Sequence, residues 1–171
     1  PLDEWQVYYS NTLAGTAMPS ANFGRIGSEA DRYNKAYNDE FIMIIFLHDN
    51  QIWNEWLDEV YVSSIYKLLW DWGYENEQLT FHDYRRQKLV TCAEKNVYVS
   101  VYRHPDGRSL AVVCNFNENP CTVAVQLDET ALGLKNKNFE LRELRSGKTV
   151  NASSLELKGL NFVLLDIRSI K

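Results

Sequence analysis

The chain has 171 residues, with 18 basic and 23 acidic side chains and a net charge of −5. A chain of this length can bury a hydrophobic core. Net acidity without a dense Lys/Arg cluster argues against nucleic-acid binding, which depends on concentrated positive charge. The longest apolar stretch, residues 41–47, is too short to cross a bilayer. We find no nucleotide-binding glycine motif and no metal-ligand spacing of Cys or His, so we expect no cofactor and no metal.

Composition divides the chain near Gly73. Residues 1–76 carry 12 acidic and 4 basic side chains (net −8), whereas residues 77–171 carry 11 and 14 (net +3). All 5 tryptophans lie in the first part, and all 3 cysteines lie in the second. We therefore predict two parts with different cores, residues 1–76 and residues 77–171.

The first part contains two predicted regular elements after loops over residues 1–38. Residues 41–47 form a continuous apolar run without alternation, which is typical of a parallel strand buried on both faces, so we predict a strand over residues 40–48. Apolar residues then recur at helical spacing and predict an amphipathic helix over residues 55–72, ended by Gly73. This order is typical of one strand-helix step of a larger α/β sheet.

The second part changes to a period of two. Alternating residues predict strands, and the sequence His104-Pro105-Asp106-Gly107 predicts a tight turn between the first two of them. The predicted strands cover residues 97–102, 110–116, 121–127, 139–144, 154–157 and 161–167. The predicted fold class is α+β by content: a strand-helix segment followed by an antiparallel β-sandwich.

The order of these features resembles the C-terminal part of a (β/α)₈-barrel glycoside hydrolase. Phe41–Asp49, which ends in His-Asp, and the following Ile65–Gly73 resemble the closing strand and helix of such a barrel. The stretches Val97–Arg103, Ala111–Phe116 and Phe162–Arg168 resemble the β-sandwich that follows it. The resemblance covers about residues 40–171.

The resemblance implies a hydrolase of glycosidic bonds in which two carboxyl groups flank the bond. In such barrels the usual pair comes from strands nearer the middle, so this chain alone is expected to be catalytically incomplete. The implied partners are an oligosaccharide or polysaccharide and the rest of a catalytic barrel, in the same or another chain. The implied location is extracellular or periplasmic.

Three residues at and beyond the end of the predicted strand are the candidate site. Asp49 could hydrogen-bond sugar hydroxyls or act as an acid or base, or it could be a loop or helix cap. His48 could orient that carboxylate or bind a hydroxyl, or it could be a buried core residue. Trp53 could stack on a pyranose face or pack in an interface.

Two functions remain open from the sequence. The first is the C-terminal portion of a glycoside hydrolase-like protein, with the sandwich as a supporting domain. The alternative is a non-catalytic module, either carbohydrate-binding or purely structural. Periodicity identifies the residues that share a face of the sandwich but not which face meets solvent, so it does not separate the two functions.

Overall fold

A computed structural model describes residues 32–52 and 57–170 of the chain. In these residues helix α1 covers Lys35–Leu47 and helix α2 covers Glu59–Trp72. The strands are β1 (Thr80–His82), β2 (Val90–Cys92), β3 (Val97–Arg103), β4 (Ser109–Asn115), β5 (Cys121–Val123), β6 (Val125–Leu127), β7 (Phe139–Glu143), β8 (Lys148–Thr149), β9 (Leu155–Leu157) and β10 (Asn161–Ser169). Within the described ranges, no helix is both long enough and apolar enough to span a membrane.

Six strands form a central antiparallel sheet in the order β1-β3-β4-β10-β7-β8. The predicted turn joins β3 to β4, where Gly107 has a φ of 96° and its N–H donates to the carbonyl of His104 at 3.0 Å. The predicted strand over residues 121–127 is divided at Ala124. Its halves belong to two separate ladders, β5-β9 and β2-β6.

Both faces of the central sheet are buried. On β4, Leu110, Val112 and Cys114 face the helices, while Ala111 and Val113 face the short ladders. The alternation predicted for these strands is therefore present, although β4 is buried along its whole length because each face has its own covering layer. The predicted fold class, α+β with an antiparallel β-sandwich, is confirmed.

The predicted strand over residues 40–48 is wrong, because these residues form most of helix α1. Asn34 caps the helix by accepting from the backbone N–H of Ala36 at 3.0 Å. Five residues of the apolar run are almost completely buried, namely Ile42, Met43, Ile45, Phe46 and Leu47. A helix buried around most of its circumference shows no period of 3.6, so its sequence cannot be distinguished from that of a buried strand.

The predicted helix over residues 55–72 is present as α2, which begins at Glu59, later than predicted, and ends at Trp72. Asp58 caps its start by accepting from the N–H groups of Val60 and Tyr61, each at 3.1 Å. Gly73 ends it with a φ of 106°, and its N–H donates to Leu69 and Trp70. The side of α2 that carries Val62, Ile65, Leu69 and Trp72 is buried.

The helices and the sheet share one core that crosses the predicted boundary near Gly73. Residues of α1 and α2 pack in the same cluster as Tyr102, Val112 and Phe162 of the sheet. The indole Nε1 of Trp72 donates to Oδ1 of Asp166 in β10 at 2.8 Å. The division into residues 1–76 and 77–171 stays a prediction.

Candidate functional site

The C-terminal end of α1 is held by side chains from the sheet. A helix leaves its last four carbonyls without partners inside the helix. Here all four accept a hydrogen bond: Ile44 from Nδ1 of His48 (2.8 Å), Ile45 from the backbone of Asn50 (3.1 Å), Phe46 from the hydroxyl of Tyr102 (3.2 Å) and Leu47 from Oγ of Ser100 (2.7 Å). The polar residues that follow the apolar run therefore lie at a helix end fixed against the sheet.

Asp49 ends the helix in the left-handed conformation, with a φ of 54°. Aspartate tolerates this conformation better than most residues, so the helix-cap interpretation of Asp49 has a structural basis. Its Oδ1 accepts from the hydroxyl of Tyr74 at 2.9 Å, and its side chain is half-buried. Burial, followed by the charge of Asp49, raises the pKa values of Tyr66, Tyr74 and Tyr102. These phenols stay neutral at physiological pH, and Tyr74 donates to the carboxylate.

His48 is 3% exposed and lies edge-on to the ring of Tyr84, with 5.5 Å between ring centroids. Burial is the main cause that lowers the pKa of its imidazole below the ordinary 6.5. A neutral imidazole that donates to a helix carbonyl is typical of a histidine with a structural role. Its role in substrate binding stays a prediction.

Asn50 adds a buried amide to the same helix end. Its side chain is 1% exposed, and neither Nδ2 nor Oδ1 has a hydrogen-bond partner among the described residues. An unpaired buried amide costs about 1–3 kcal/mol. The third predicted site residue, Trp53, lies outside the described residues.

A second polar cluster connects α1, α2 and the end of the sheet. Asp39 of α1 is 5% exposed, and its carboxylate accepts hydrogen bonds from two side chains. Nη2 of Arg145 donates to both carboxylate oxygens, at 2.9 and 3.0 Å, and Nδ2 of Asn161 donates to Oδ2 at 2.8 Å. The hydroxyl of Tyr61 donates to Oδ1 of Asp39 at 2.6 Å and accepts from Nη2 of Arg145. Burial and then the hydrogen bond to Asp39 raise the pKa of Tyr61.

Tyr61, Arg145 and Asn161 of this cluster line a groove of about 600 Å³ between α2 and the strands β9 and β10. Apolar side chains at the groove include Ile65, Leu68 and Val163. Hydroxyl and charged groups also line it, among them Ser64, Ser146, Lys35, Glu156 and Lys158. Apolar surface combined with a few fixed polar groups, in a volume of this size, is typical of small-ligand sites.

No sequence pattern joins the residues of the Asp39 cluster. Asp39 and Arg145 are more than one hundred positions apart, and only the packing of α1 on the sheet brings them together. The one available signal is Asn38-Asp39, two polar residues that only Glu40 separates from the apolar run. Polar residues buried in this way need partners from elsewhere in the chain.

Comparison with known proteins identifies similarity of structure only. No protein-family model matches the sequence, and no curated protein matches it. A Bacillus halodurans C-125 protein with a proposed assignment as an alpha-N-acetylgalactosaminidase is similar in structure, with a TM-score of 0.52 and 11% identity over 78% of this chain and 31% of that one. At this identity the likeness shows a shared fold.

Two further structures match smaller parts of the chain. A beta-galactosidase from Bacillus circulans sp. alkalophilus has a TM-score of 0.34 and 19% identity over 46% of this chain and 10% of that one. A family GH27 β-L-arabinopyranosidase from Geobacillus stearothermophilus has a TM-score of 0.34 and 17% identity over 43% of this chain and 17% of that one. These two TM-scores are too low to carry an argument. The chain spans less than a third of the length of each of the three proteins.

Proposed function

We propose that this chain is part of a glycoside hydrolase-like protein that acts on glycans, and that its β-sandwich supports a catalytic domain. The observation that carries the proposal is the fold likeness over 78% of this chain to the Bacillus halodurans protein, whose name assigns it to glycan hydrolysis. The chain covers 31% of that protein. A supporting role for a part of this size is consistent with catalytic carboxylates that lie elsewhere.

The arrangement of layers is also consistent with a β-sandwich that supports a catalytic domain. The helices cover one face of the central sheet and the short ladders cover the other, so neither face offers an open platform to a glycan. Asp49, the predicted acid, base or sugar contact, is held by Tyr74 and ends a helix. We propose that it lies at the edge of the substrate cleft rather than between the reacting groups.

The groove beside Tyr61 favours a second function, non-catalytic glycan binding. Its volume of about 600 Å³ is sufficient for one or two sugar rings, and Ser64 and Ser146 offer hydroxyls at its edge. The aromatic wall is fixed because Asp39 and Arg145 hold the hydroxyl of Tyr61. A fixed wall reduces the entropy lost when a ligand binds.

Hydrolysis assays on the full product of the natural gene and on residues 1–171 test the first function. We expect the full product to release nitrophenol from at least one aryl glycoside in a panel of α- and β-linked sugars, and residues 1–171 alone to release none. In the full product, Asp49→Asn should lower kcat/KM about tenfold or more, since a charge-assisted hydrogen bond is lost. Asp71→Asn on the exposed side of α2 is the matched control and should leave kcat/KM unchanged.

Glycan binding by residues 1–171 separates the two functions. Ser64→Trp places a large ring in the groove, whereas Ser63→Trp places the same ring on the same helix outside the groove lining. The second function would replace the first under three conditions. Residues 1–171 would bind an oligosaccharide saturably, only Ser64→Trp would abolish that binding, and the full product would show no hydrolysis. Hydrolysis by the full product without binding to the isolated chain supports the first.

A further inference from the structure

A cleft of about 340 Å³ lies at the end of the central sheet, where the β3-β4 turn and the last residues of β10 meet the loop that precedes β7. Four cationic side chains line it, Arg103, Arg108, Lys137 and Arg168, together with a single acidic one, Asp106. The whole chain has a net charge of −5. Positive charge is therefore concentrated in this concave surface, although the chain as a whole is acidic. A cleft focuses the electrostatic field of the charges that line it.

Two carboxylates neutralise only part of this charge. Asp106 accepts from Nε of Arg108 at 2.7 Å and lies 2.8 Å from Nδ1 of His104. Arg168 bonds Asp166, which is fully buried behind the cleft. Arg103 and Lys137 have no carboxylate partner in the described part of the chain, so two positive charges remain available to a ligand.

Arg103 and Arg108 are held in place before any ligand binds. Nη1 of Arg103 donates to the carbonyl of Ala131 at 3.3 Å, and the guanidinium of Arg108 lies 5.4 Å from the centre of the Trp72 ring. Leu132 and Leu134, which are 2% and 3% exposed, provide an apolar part of the wall. Guanidinium groups fixed beside apolar surface lose little entropy on binding and act in a lowered dielectric.

We infer that this cleft binds an oxyanion, namely a carboxylate, sulfate or phosphate group. The planar fork of a guanidinium matches the two oxygens of such a group, and Lys137 adds a mobile charge on the opposite loop. The inference is independent of the proposed function, since the same chemistry serves a free anion or an acidic sugar.

Titration of ¹⁵N-labelled residues 1–171 tests this inference through the arginine Nε–H and backbone signals. The probes are sodium sulfate and glucuronate, each against sodium chloride at matched ionic strength, with glucose as the neutral sugar. We expect saturable shifts at Arg103, Arg108 and Lys137 with sulfate or glucuronate and none with glucose. Tighter binding of glucuronate would assign the site to an acidic sugar, and tighter binding of sulfate to a free anion.

Matched variants make the result specific to the cleft. Arg103→Gln should weaken binding about tenfold or more, as expected when a charged hydrogen-bond donor is removed. Arg142→Gln is its control, because Arg142 also donates to a backbone carbonyl, that of Gly147 at 3.1 Å, and does not line the cleft. Lys137→Gln on the exposed loop provides a second cleft variant if Arg103→Gln fails to fold. Shifts that chloride reproduces, or equal weakening by Arg142→Gln, would overturn the inference.

Discussion

The buried imidazole of His48 makes the stability of the helix end depend on pH. Burial is the largest cause that lowers the pKa of this ring below 6.5, with a smaller opposing contribution from its hydrogen bond to Ile44. Arg85 lowers the pKa further and Asp83 raises it. The unfolded chain therefore takes up a proton near pH 6.5 while the folded chain does not. The contribution of the neutral His48 imidazole to the free energy of unfolding is fully present above pH 6.5, and it is lost as the pH falls through the folded pKa.

We therefore expect the free energy of unfolding to fall between pH 7.5 and pH 5.5, by no more than about 1.4 kcal/mol per pH unit for this one group. His48→Gln should reduce that fall in urea denaturation curves. His82 also has a pKa lowered by burial, but its side chain is less buried, so His82→Gln should reduce the fall by less. A pH dependence that His48→Gln leaves unchanged would contradict this role for His48.

At the scale of elements, the sequence predicted α2 and most strands of the sandwich, with β5 and β6 as one strand, but not α1 or the short strands β1, β2 and β8. The strands alternate because each face of the sheet meets a different layer, and α2 shows its period because one side carries exposed groups such as Trp70. The continuous apolar run of α1 carries no period, since most of the helix circumference is buried. The consequence for the site is direct: His48 and Asp49 end a helix, not a barrel strand.

The end of α2 provides a prediction at this scale through two glycines with similar backbone angles. Gly73 has a φ of 106° and Gly107 a φ of 96°, so an alanine at either position is strained by about 1–2 kcal/mol. A Cβ at Gly73 would lie 3.0 Å from Nε2 of His104, whereas a Cβ at Gly107 would meet nothing within 4 Å. Gly73→Ala should therefore destabilise the protein more than Gly107→Ala.

Urea denaturation at pH 7.5 measures this difference, and Gly107→Ala serves as the control for backbone strain alone. If the two variants lose the same free energy of unfolding, then His104 moves aside at no cost. In that case the position of His104 beside Gly73 does not contribute to stability.

At the scale of the whole molecule, the arrangement of the core determines whether the sandwich folds without α1 and α2. Changes in charge and in tryptophan content predict a boundary near Gly73. Composition shows which residues occur in each part but not which residues are in contact. The core in the structure lies across that boundary. Leu110, Val112 and Phe162 of the sheet, each 1% exposed or less, pack in one cluster with α1 and α2.

Removing the helices would expose this face of the sheet. Each Å² of apolar surface that is exposed costs about 25 cal/mol, and Asp166 loses its hydrogen bond from Trp72, so the free energy of unfolding should fall. We therefore expect residues 77–171 alone to bind a hydrophobic dye and to associate. Residues 1–171 should unfold in one transition, with tryptophan fluorescence and far-ultraviolet circular dichroism coinciding.

Sedimentation and dye binding of the two chains decide between one unit and two. A monomeric, cooperatively folded chain of residues 77–171 would mean that the helices are a covering layer of a separate domain, and the boundary near Gly73 would stand. Association of that chain would mean that α1 and α2 are part of the sandwich domain itself. The helix end at His48 and Asp49 would then be rigidly attached to the sheet, because the hydrogen bonds from Ser100 and Tyr102 fix it there.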